Sequence, residues 1–331
     1  MASERLYPVA ATSGADIDEM LERFDVVVSS WRLLQGGMLN TNIHVHATSG
    51  EQYLLRIYNP DRTRAQIDLE IGTLQRLHNA GVRCQVPQQG RGGFVQTWTQ
   101  HQYALLSFIP GDSLPEATHE SGVSEDVGRL LGEVHSVFGN ESRLDATTAL
   151  ADIATIEDLL RPTFGHRPAL LEAWVEVSSI AVAQPPLVGI VHGDVHPGNV
   201  VRSADGGLVL IDFDDVSLGP VRLDLATGAM EFAFGADTDL STELVARFVR
   251  GYESARGRVE NTATTIDDIW FNCFRFFAYT IELLKPREAL EENVYFRRVM
   301  SLKNRSYRDT LGREVADWME VLRRDGRRVG D

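Results

Sequence analysis

The chain has 331 residues, which is long enough for two lobes and a large hydrophobic core. A hydrophobic fraction of 43% and a charged fraction of 24% are typical of a soluble globular protein. The net charge of −15, from 47 acidic and 32 basic residues, argues against a nucleic-acid partner and permits a cationic substrate without requiring one.

The sequence predicts no targeting segment. No run of about 18 apolar residues occurs in the sequence, so we expect no membrane span. Residues 1–16 lack a basic stretch followed by an apolar one, so we expect no secretory signal. Two cysteines, Cys84 and Cys273, cannot build a disulfide framework. A cytoplasmic protein is therefore expected, and the sequence does not define its oligomeric state.

The first part of the chain predicts a short helix followed by strands. Ile17, Leu21 and Phe24 recur at helical spacing after Ser13. Strand-like apolar runs then occur at residues 26–31, 43–47, 52–58, 94–98 and 103–109. The glycine-containing turn at 34–42 suits a plain hairpin, and it also suits a loop whose backbone N–H groups cover phosphates.

A second helix is predicted between these strands, from about residue 63 to residue 79, with Gly81 as its stop. Glu70 lies beside the apolar stripe of this helix, and a buried carboxylate needs a partner. Arg56, in the third strand-like run, is the partner that we predict. The alternative is that Glu70 is an exposed helix glutamate.

Beyond Pro110 the pattern becomes helical. The apolar periodicity predicts helices at about residues 123–138, 156–160, 170–183, 242–255, 266–284 and 305–324, and a further helix after Gly219-Pro220 that carries residues 224–234. The aromatic side chains of the 266–284 helix, and His135, are interpreted as core residues. Acidic side chains on these helices are candidate substrate contacts: Glu231, Asp267, Asp268 and Glu282.

Polar residues that could take part in catalysis are concentrated in residues 190–215. Two apolar runs, 187–191 and 208–211, flank a turn at 203–207. Asp194 and Asn199 follow the first run, and Asp212 ends the second. We therefore predict a loop, a strand, a turn and a second strand that hold these side chains on rigid supports.

These three side chains have the types and spacing that phosphoryl transfer requires. One carboxylate orients the attacking hydroxyl and accepts its proton, while Mg²⁺ takes hard oxygen ligands. A kinase catalytic loop carries its base five residues before a metal-binding asparagine, which is the separation of Asp194 and Asn199. Asp212 takes the position of the aspartate in the kinase D-F-G triplet, although the triplet here ends in Asp214.

Two other interpretations of the same residues remain open. His192, Asp194 and His196 could ligate a zinc ion from one face of a strand, although the following Pro-Gly pair favours a loop. The acidic residues 212–215 could also form a solvated loop without a chemical role.

Three blocks of sequence resemble one known family. They begin at His192 (His-Gly-Asp-Val-His-Pro-Gly-Asn), Ile211 (Ile-Asp-Phe-Asp-Asp) and Asp224 (Asp-Leu-Ala). This series resembles the aminoglycoside phosphotransferase and choline kinase superfamily, with bacterial stress response kinases and type II homoserine kinases as the nearest members. The resemblance implies a two-lobed, protein-kinase-like α+β fold. An antiparallel-sheet N-lobe would span 1–109, and a mostly helical C-lobe with the catalytic loop 190–215 would span 110–331.

The resemblance also implies roles for individual residues. Arg56 stands where most members have a phosphate-binding lysine, and Glu70 would pair with it. Backbone groups near Ser107 and Ile109 would bind adenine, and Asp224 would brace the catalytic loop. The remaining nucleotide-binding candidates lie in the glycine-containing turn: Gly36, Gly37, Asn40, Thr41 and Asn42.

The expected function is ATP- and Mg²⁺-dependent transfer of the γ-phosphate of ATP to a hydroxyl of a small molecule. Candidate acceptors are an antibiotic, an amino alcohol, a sugar or a homoserine-like metabolite. Asp194 would be the base, and Asn199 and Asp212 would hold the metal. A serine/threonine protein kinase is one alternative. A catalytically weak nucleotide-binding protein is another, because Arg56 keeps the charge of a lysine but is bulkier.

Overall fold

The computed structural model describes residues 13–34, 39–116, 118, 120–139, 147–165, 167–183, 187–235, 239–259, 262–284 and 290–328. The chain divides into two compact units. The first comprises Met1–Gly111 and Ser203–Asp205, and the second comprises Asp112–Arg202 and Gly206–Asp331.

The first unit contains an antiparallel sheet with two helices. Its helices are α1 (Gly14–Glu22) and α2 (Arg64–Asn79). Its strands are β1 (Val28–Leu33), β2 (Thr41–Ala47), β3 (Gln52–Ile57), β4 (Val95–Trp98) and β5 (His101–Ser107). They lie in the order β1-β2-β3-β5-β4, and every neighbouring pair is antiparallel. One face of this sheet and α1 share an apolar core that includes Ile17, Leu21 and Leu105.

Capping residues define both helices of this unit. Ser13 and Asp16 form a capping box at the start of α1, and Thr63 and Gln66 form another at the start of α2. Helix α2 ends at Asn79 with Ala80 as its C-cap, and Gly81 follows with a φ of 82° in the left-handed region that glycine tolerates. The predicted second helix and its stop are therefore confirmed.

The second unit is mostly helical. Its helices are α3 (Ser121–Phe138), α4 (Thr147–Phe164), α5 (Pro168–Ala183), α6 (Val221–Ala233), α7 (Thr242–Arg256), α8 (Thr265–Leu284), α9 (Val294–Ser301) and α10 (Arg305–Arg328). Its short strands are β7 (Val188–Val191), β8 (Val200–Ser203), β9 (Leu208–Leu210) and β10 (Ser217–Pro220), and β6 (Gly111–Ser113) crosses the boundary between the units. Strands β6, β8 and β9 form one small sheet, and β7 pairs with β10 in another.

Strand β10 and helix α9 were not predicted, and α4 is longer than the predicted helix at 156–160. Strand β10 runs antiparallel to β7, with Ser217 opposite Val191. It was not predicted because its four residues include a Gly-Pro pair that is more typical of a turn. Helix α9 was also not predicted. It has eight residues, and it begins where the side chain of Asn293 accepts a hydrogen bond from the N–H of Phe296.

Most aromatic residues of α8 belong to the core, whereas Phe276 and Tyr279 are partly exposed. Trp270, Phe274 and Phe277 are fully buried, which confirms the interpretation of this helix as a packing element. The protein is thus an α+β protein with a sheet-containing unit and a mostly helical unit. Among the described residues, none of the helices combines the length and the apolar character needed to cross a membrane.

Candidate active site

The loop that follows β7 holds Asp194 and Asn199 in contact. Residues Pro197–Asn199 form a turn of 3-10 helix that leads directly into β8. The side-chain amide of Asn199 donates to the backbone oxygen of Asp194 at 3.0 Å and to its carboxylate Oδ2 at 3.2 Å. The separation of five residues therefore closes a compact loop, and it points the carbonyl oxygen of the Asn199 amide away from Asp194.

The hairpin of β8 and β9 brings Asp212 to the same place. Val200 lies opposite Leu210 in this ladder, and the N–H of Ile211 donates to the backbone oxygen of Asn199 at 2.9 Å. Asp212 follows immediately, with φ 66° and ψ 64° in the left-handed region. A non-glycine residue in this region is uncommon, and such residues cluster at functional sites. The two predicted metal ligands thus lie on adjacent ends of one hairpin.

A buried carboxylate fixes the start of the loop. Asp224, in the first turn of α6, accepts the backbone N–H groups of His192 at 2.7 Å and Gly193 at 2.9 Å. Gly193 has a φ of 89°, and a Cβ atom at this position would lie 2.6 Å from the backbone oxygen of Asp215. The loop therefore needs both the carboxylate and the glycine, and the expected bracing contact of Asp224 is present.

A buried histidine extends this brace. His135 Nε2 lies 3.0 Å from Asp224 Oδ2, and its Nδ1 lies 2.8 Å from the hydroxyl of Tyr252. Burial lowers the pKa of His135 and outweighs the opposing effect of Asp224. Burial also raises the pKa of Asp224, but the bonds and charges of its partners, His135 first, bring it below its ordinary value. The pair is a neutral imidazole donating to a carboxylate, which matches the expected core role of His135.

His196 contacts the candidate base. Its Nδ1 accepts the N–H of Gly198 at 3.1 Å, so the proton of the neutral ring lies on Nε2, which is 3.4 Å from Asp194 Oδ2. Burial raises the pKa of Asp194, but His196, His192 and Asn199 together lower it below its ordinary value. Asp194 is therefore an ionised carboxylate at neutral pH, and its side chain is 33% exposed.

The zinc interpretation is not supported. The Nε2 atom of His192 lies 3.0 Å from the backbone oxygen of Ile211, and its ring packs on Phe213. His192 is fully buried, so its ring is a structural support of the hairpin. Across the ranges that the structure describes, no group of three or more His, Cys, Asp or Glu side chains is arranged to hold a metal ion.

In the first unit, the predicted pair of Arg56 and Glu70 is present. Arg56 Nη1 donates to Glu70 Oε1 at 2.9 Å, and its Nε donates to Asn42 Oδ1 at 3.1 Å. Arg62 Nη2 lies 3.6 Å from the other carboxylate oxygen of Glu70. Arg56 is 2% exposed and Glu70 is 0% exposed, so the exposed-glutamate alternative is wrong.

The other residues predicted to bind nucleotide divide into two groups. Gly36 and Gly37 lie outside the described residues. Asn40 Oδ1 accepts the N–H of Asn59 at 2.9 Å, which ties the start of β2 to the end of β3. Thr41 is the first residue of β2 and lies opposite Ile57.

The predicted adenine-binding segment follows the last strand of the first unit. Both the N–H and the hydroxyl of Ser107 are bonded to Val86, each at 2.8 Å. A role in adenine recognition would therefore fall to the carbonyl group of Ser107 or to Ile109, which is partly exposed.

Comparison with known proteins decides the family. The profile described as the phosphotransferase enzyme family matches residues 30–261. The chain belongs to this family. A homoserine kinase from Brucella anthropi is 25% identical over 248 residues, which cover 73% of this chain and 75% of that protein. The phosphotransferase activity that the sequence predicted is thus confirmed at the level of the family.

Solved structures of kinases share the fold. Amicoumacin kinase hAmiN, in complex with AMP-PNP, Ca²⁺ and Ami, matches with a TM-score of 0.68 at 15% identity, over 88% of this chain and 93% of that chain. Choline kinase LicA from Streptococcus pneumoniae matches with a TM-score of 0.60 at 18% identity, over 86% and 97% of the two chains. These similarities confirm the expected kinase-like fold.

A second cluster of polar residues in this phosphotransferase was not predicted as a unit. Glu231, on α6, accepts the hydroxyl of Tyr295 and Nη1 of Arg298 on the same oxygen, each at 3.1 Å. We call Glu231, Tyr295 and Arg298 the α6–α9 cluster. Burial is the largest influence on Tyr295 and raises its pKa, and the charges of Glu231 and, less strongly, Asp194 raise it further. The cluster thus joins α6 to α9 through one carboxylate.

Two of the other candidate substrate contacts serve other purposes. Asp268 is buried and pairs with Arg222. Asp267 accepts a hydrogen bond from Arg308 Nε at 2.9 Å, and the Arg308 guanidinium stacks on the ring of Trp270. Both aspartates therefore join helices of the second unit. Glu282 is exposed.

Proposed function

We propose that this phosphotransferase uses ATP and Mg²⁺ to phosphorylate a hydroxyl group of a small molecule, with Asp194 as the base. The observation that carries the proposal is the contact of Asn199 with both Asp194 and, through the hairpin backbone, the residue before Asp212. Phosphoryl transfer depends on positioning and electrostatics more than on covalent chemistry, and this arrangement provides both.

Asp194 orients the acceptor hydroxyl and accepts its proton. The lowered pKa of its carboxyl group keeps it ionised at neutral pH. The amide of Asn199 and the imidazole of His196 both lie against Oδ2, which fixes the direction of the carboxylate. An oriented, ionised carboxylate suits a loose transition state, in which the hydroxyl proton leaves late and a strong base is not needed.

The donor set suits Mg²⁺. Both hydrogens of the Asn199 amide point to Asp194, so the amide offers its oxygen, and Asp212 offers a carboxylate from the neighbouring end of the hairpin. Mg²⁺ is bound by one or two protein oxygens together with waters and phosphate oxygens, so a larger cluster of ligands is not required. When bound, the ion would neutralise charge on the transferred phosphate.

The nucleotide phosphates are bound through Arg56, which is held by Glu70 and Asn42. The turn that includes Gly36 and Gly37, with Asn40 and Thr41 after it, would supply backbone N–H groups. Backbone groups of Ser107 and Ile109 would recognise adenine.

A second candidate function is that of a catalytically weak nucleotide-binding protein, and the contacts of Arg56 support it. Two of its donors are engaged inside the first unit, and its guanidinium is almost completely buried. If this engagement prevented contact with phosphates, the protein would bind nucleotide weakly and turn it over slowly.

The test of the first proposal is ATP consumption with Mg²⁺ in the presence of aminoglycosides, choline, homoserine, sugars, nucleosides and a generic protein substrate. One small molecule should stimulate turnover and carry the phosphate when it is examined by mass spectrometry. Asp194→Asn should lower kcat by about a hundredfold or more and leave nucleotide binding intact. Phosphate only on serine or threonine of the protein substrate would instead establish a protein kinase.

Arg56 variants separate the two candidates. Arg56→Lys restores the usual residue and should retain nucleotide binding, while Arg56→Gln should weaken it in a titration of ATP with Mg²⁺. Equal affinity in all three proteins would show that Arg56 does not bind phosphate. The control is Arg64→Gln, because Arg64 pairs with Asp68 on the exposed face of α2.

A further inference from the structure

We propose that Glu231 and Arg298 form the acceptor site of this enzyme and select a zwitterionic hydroxy amino acid, with the ammonium group on Glu231 and the carboxylate on Arg298. This inference rests on the proposed phosphotransferase function and specifies its substrate class. The side chains that carry it come from α6 and α9, and the latter helix had no predicted role.

The position of Glu231 follows from the helix that braces the catalytic loop. Glu231 lies seven residues after Asp224, so both side chains project from the same face of α6, roughly 10 Å apart along its axis. Asp224 holds Gly193, the residue before Asp194. The anchor of the base and the acceptor carboxylate thus lie two turns apart on one helix face, a separation that a small hydroxy amino acid can bridge with its hydrogen bonds.

Contacts between the helices fix α9 beside this face. The side chain of Trp270, on α8, donates to the backbone oxygen of Val299 at 3.1 Å, and Asn272 donates to that of Leu223 on α6 at 2.8 Å. Phe277 packs on Phe296. Helix α8 thus bonds to both α6 and α9, and it holds Glu231 and Arg298 together.

The charged groups of the site are rigid. The Arg298 guanidinium lies 4.6 Å from the ring centre of Phe234 and 5.2 Å from that of Tyr295, and Tyr295 stacks on Phe276. The side chain of Arg298 is 8% exposed and that of Glu231 is 14% exposed. Side chains that are already ordered lose little entropy when a ligand binds, so the cluster is preorganised.

Both charged side chains have hydrogen-bonding atoms left for a ligand. Within the described part of the chain, the two hydrogen bonds of Glu231 go to Oε1, which leaves Oε2 for an ammonium group. Arg298 uses Nη1 for Glu231, and its buried Nε has no hydrogen-bond partner among the described residues. An arginine carries five donor hydrogens, so a fork remains for a carboxylate.

The balance of charge favours a zwitterion over a cation. Arg298 compensates Glu231, so a purely cationic acceptor would meet a neutral pair and would face the guanidinium without a counter-charge. Asp267 and Asp268 are likewise paired with arginines. A zwitterion complements both members of the pair. Homoserine, which gives the Brucella anthropi relative its name, is a compound of this class.

Phosphoryl transfer at this site exchanges one phosphorus–oxygen bond for another. The acceptor oxygen forms a bond to the γ-phosphorus, and the bond from that phosphorus to the bridging oxygen of ADP breaks. The bridging oxygen keeps the electron pair, and the hydroxyl proton passes to Asp194.

The first experiment uses the unmodified protein and compares L-homoserine, L-serine and L-threonine with two analogues of the best acceptor. One analogue is the amino alcohol that lacks the carboxylate, and the other is the hydroxy acid that lacks the amine. We expect kcat/KM to fall by about a hundredfold or more for each analogue, because each leaves one buried charge without its partner. An amino alcohol or choline that equals or exceeds the amino acids would overturn the inference and leave the proposed function intact. Phosphorylation of proteins alone would overturn both.

The second experiment uses Glu231→Gln and Arg298→Gln. Each should raise the KM for the amino acid about tenfold or more, with the KM for ATP unchanged. Arg298→Gln should also change the substrate preference. The kcat/KM for the amino alcohol, divided by that for the amino acid, should rise about tenfold or more. The matched control is Glu253→Gln, which removes the ion pair between Glu253 and Arg323 on α10. This variant should leave both KM values unchanged. Variants that fold, as shown by thermal melting, and keep the wild-type KM and acceptor ratio would refute the assignment.

Discussion

The catalytic loop and the α6–α9 cluster are built in different ways, although both belong to the second unit. In the loop, the side-chain amide of Asn199 reaches Asp194 over five residues and bonds to both its backbone oxygen and its carboxylate. In the cluster, the bonds to Glu231 join side chains that are 64 and 67 residues apart. Local sequence therefore determines the loop, whereas the packing of three helices determines the cluster.

This difference predicts two kinds of variant. Changes to the loop should lower stability and kcat together, because the backbone geometry that orients Asp194 also satisfies buried hydrogen-bonding groups. Changes to the cluster should raise KM for the acceptor, since the hydrogen bonds that its side chains make within the described residues do not reach the loop that orients Asp194.

Asp224→Ala should cause the largest loss. It leaves the N–H groups of His192 and Gly193 and the ring of His135 without their shared partner, in a site that excludes water. We expect a loss of roughly 3 to 5 kcal/mol in the free energy of unfolding, measured with urea, and no detectable turnover.

The control for this change is Asp126→Ala, which removes an exposed carboxylate that pairs with Arg129 within α3. It should alter stability by about 0.5 kcal/mol or less. Similar losses in the two variants would show that Asp224 does not brace the loop.

Gly193→Ala should be the next most severe change. The left-handed φ alone costs about 1 kcal/mol, and the new Cβ would also press against the backbone of Asp215. We expect at least about 3 kcal/mol in total, with a large fall in kcat. The comparison is Gly206→Ala, where φ is 84° and nothing lies within 4 Å of the added Cβ. That variant should lose only the conformational cost and keep its kcat.

The stability of the brace should depend on pH. His135 has a lowered pKa in the folded protein, so below its ordinary value of 6.5 the unfolded chain binds a proton that the folded chain does not. The free energy of unfolding should therefore fall as the pH falls below about 6.5. Asp224, whose pKa is also lowered, adds a loss only at more acidic pH. His135→Asn should flatten the first part of this profile in thermal melts, and an unchanged slope would contradict the assignment.

The geometry of the loop was predictable because it depends on short spacings. Asp194, Asn199 and Asp212 follow apolar runs that form strands, and the types of these residues suit phosphoryl transfer. The pair of Arg56 and Glu70 was predictable for another reason, since a carboxylate beside an apolar stripe requires a counter-charge. In both cases a local pattern carried the information.

The cluster could not be predicted in the same way. Glu231 was one of four acidic candidates, and the sequence does not distinguish it from Asp268, which pairs with Arg222 in the core. Tyr295 and Arg298 lie on α9, whose eight residues are too few for a clear helical period. Their relation to Glu231 arises from the packing of α6, α8 and α9, which no spacing along the chain records.

Two tyrosine variants should have the smallest effects, and they compare the brace of the catalytic loop with the α6–α9 cluster directly. Each variant removes one hydroxyl group from one of the two regions. Tyr252→Phe leaves the buried Nδ1 of His135 without a donor, so it should cost about 1 to 3 kcal/mol and lower kcat.

Tyr295→Phe keeps the ring stacked on Phe276 and loses only the bond to Glu231. Glu231 remains paired with Arg298, so the carboxylate stays in the site with one donor fewer. The KM for the acceptor should rise about threefold to tenfold, with kcat and the melting temperature close to wild type. A fall in kcat for Tyr295→Phe without a change in KM would place this residue with the loop, and the separation between chemistry and recognition would then not hold.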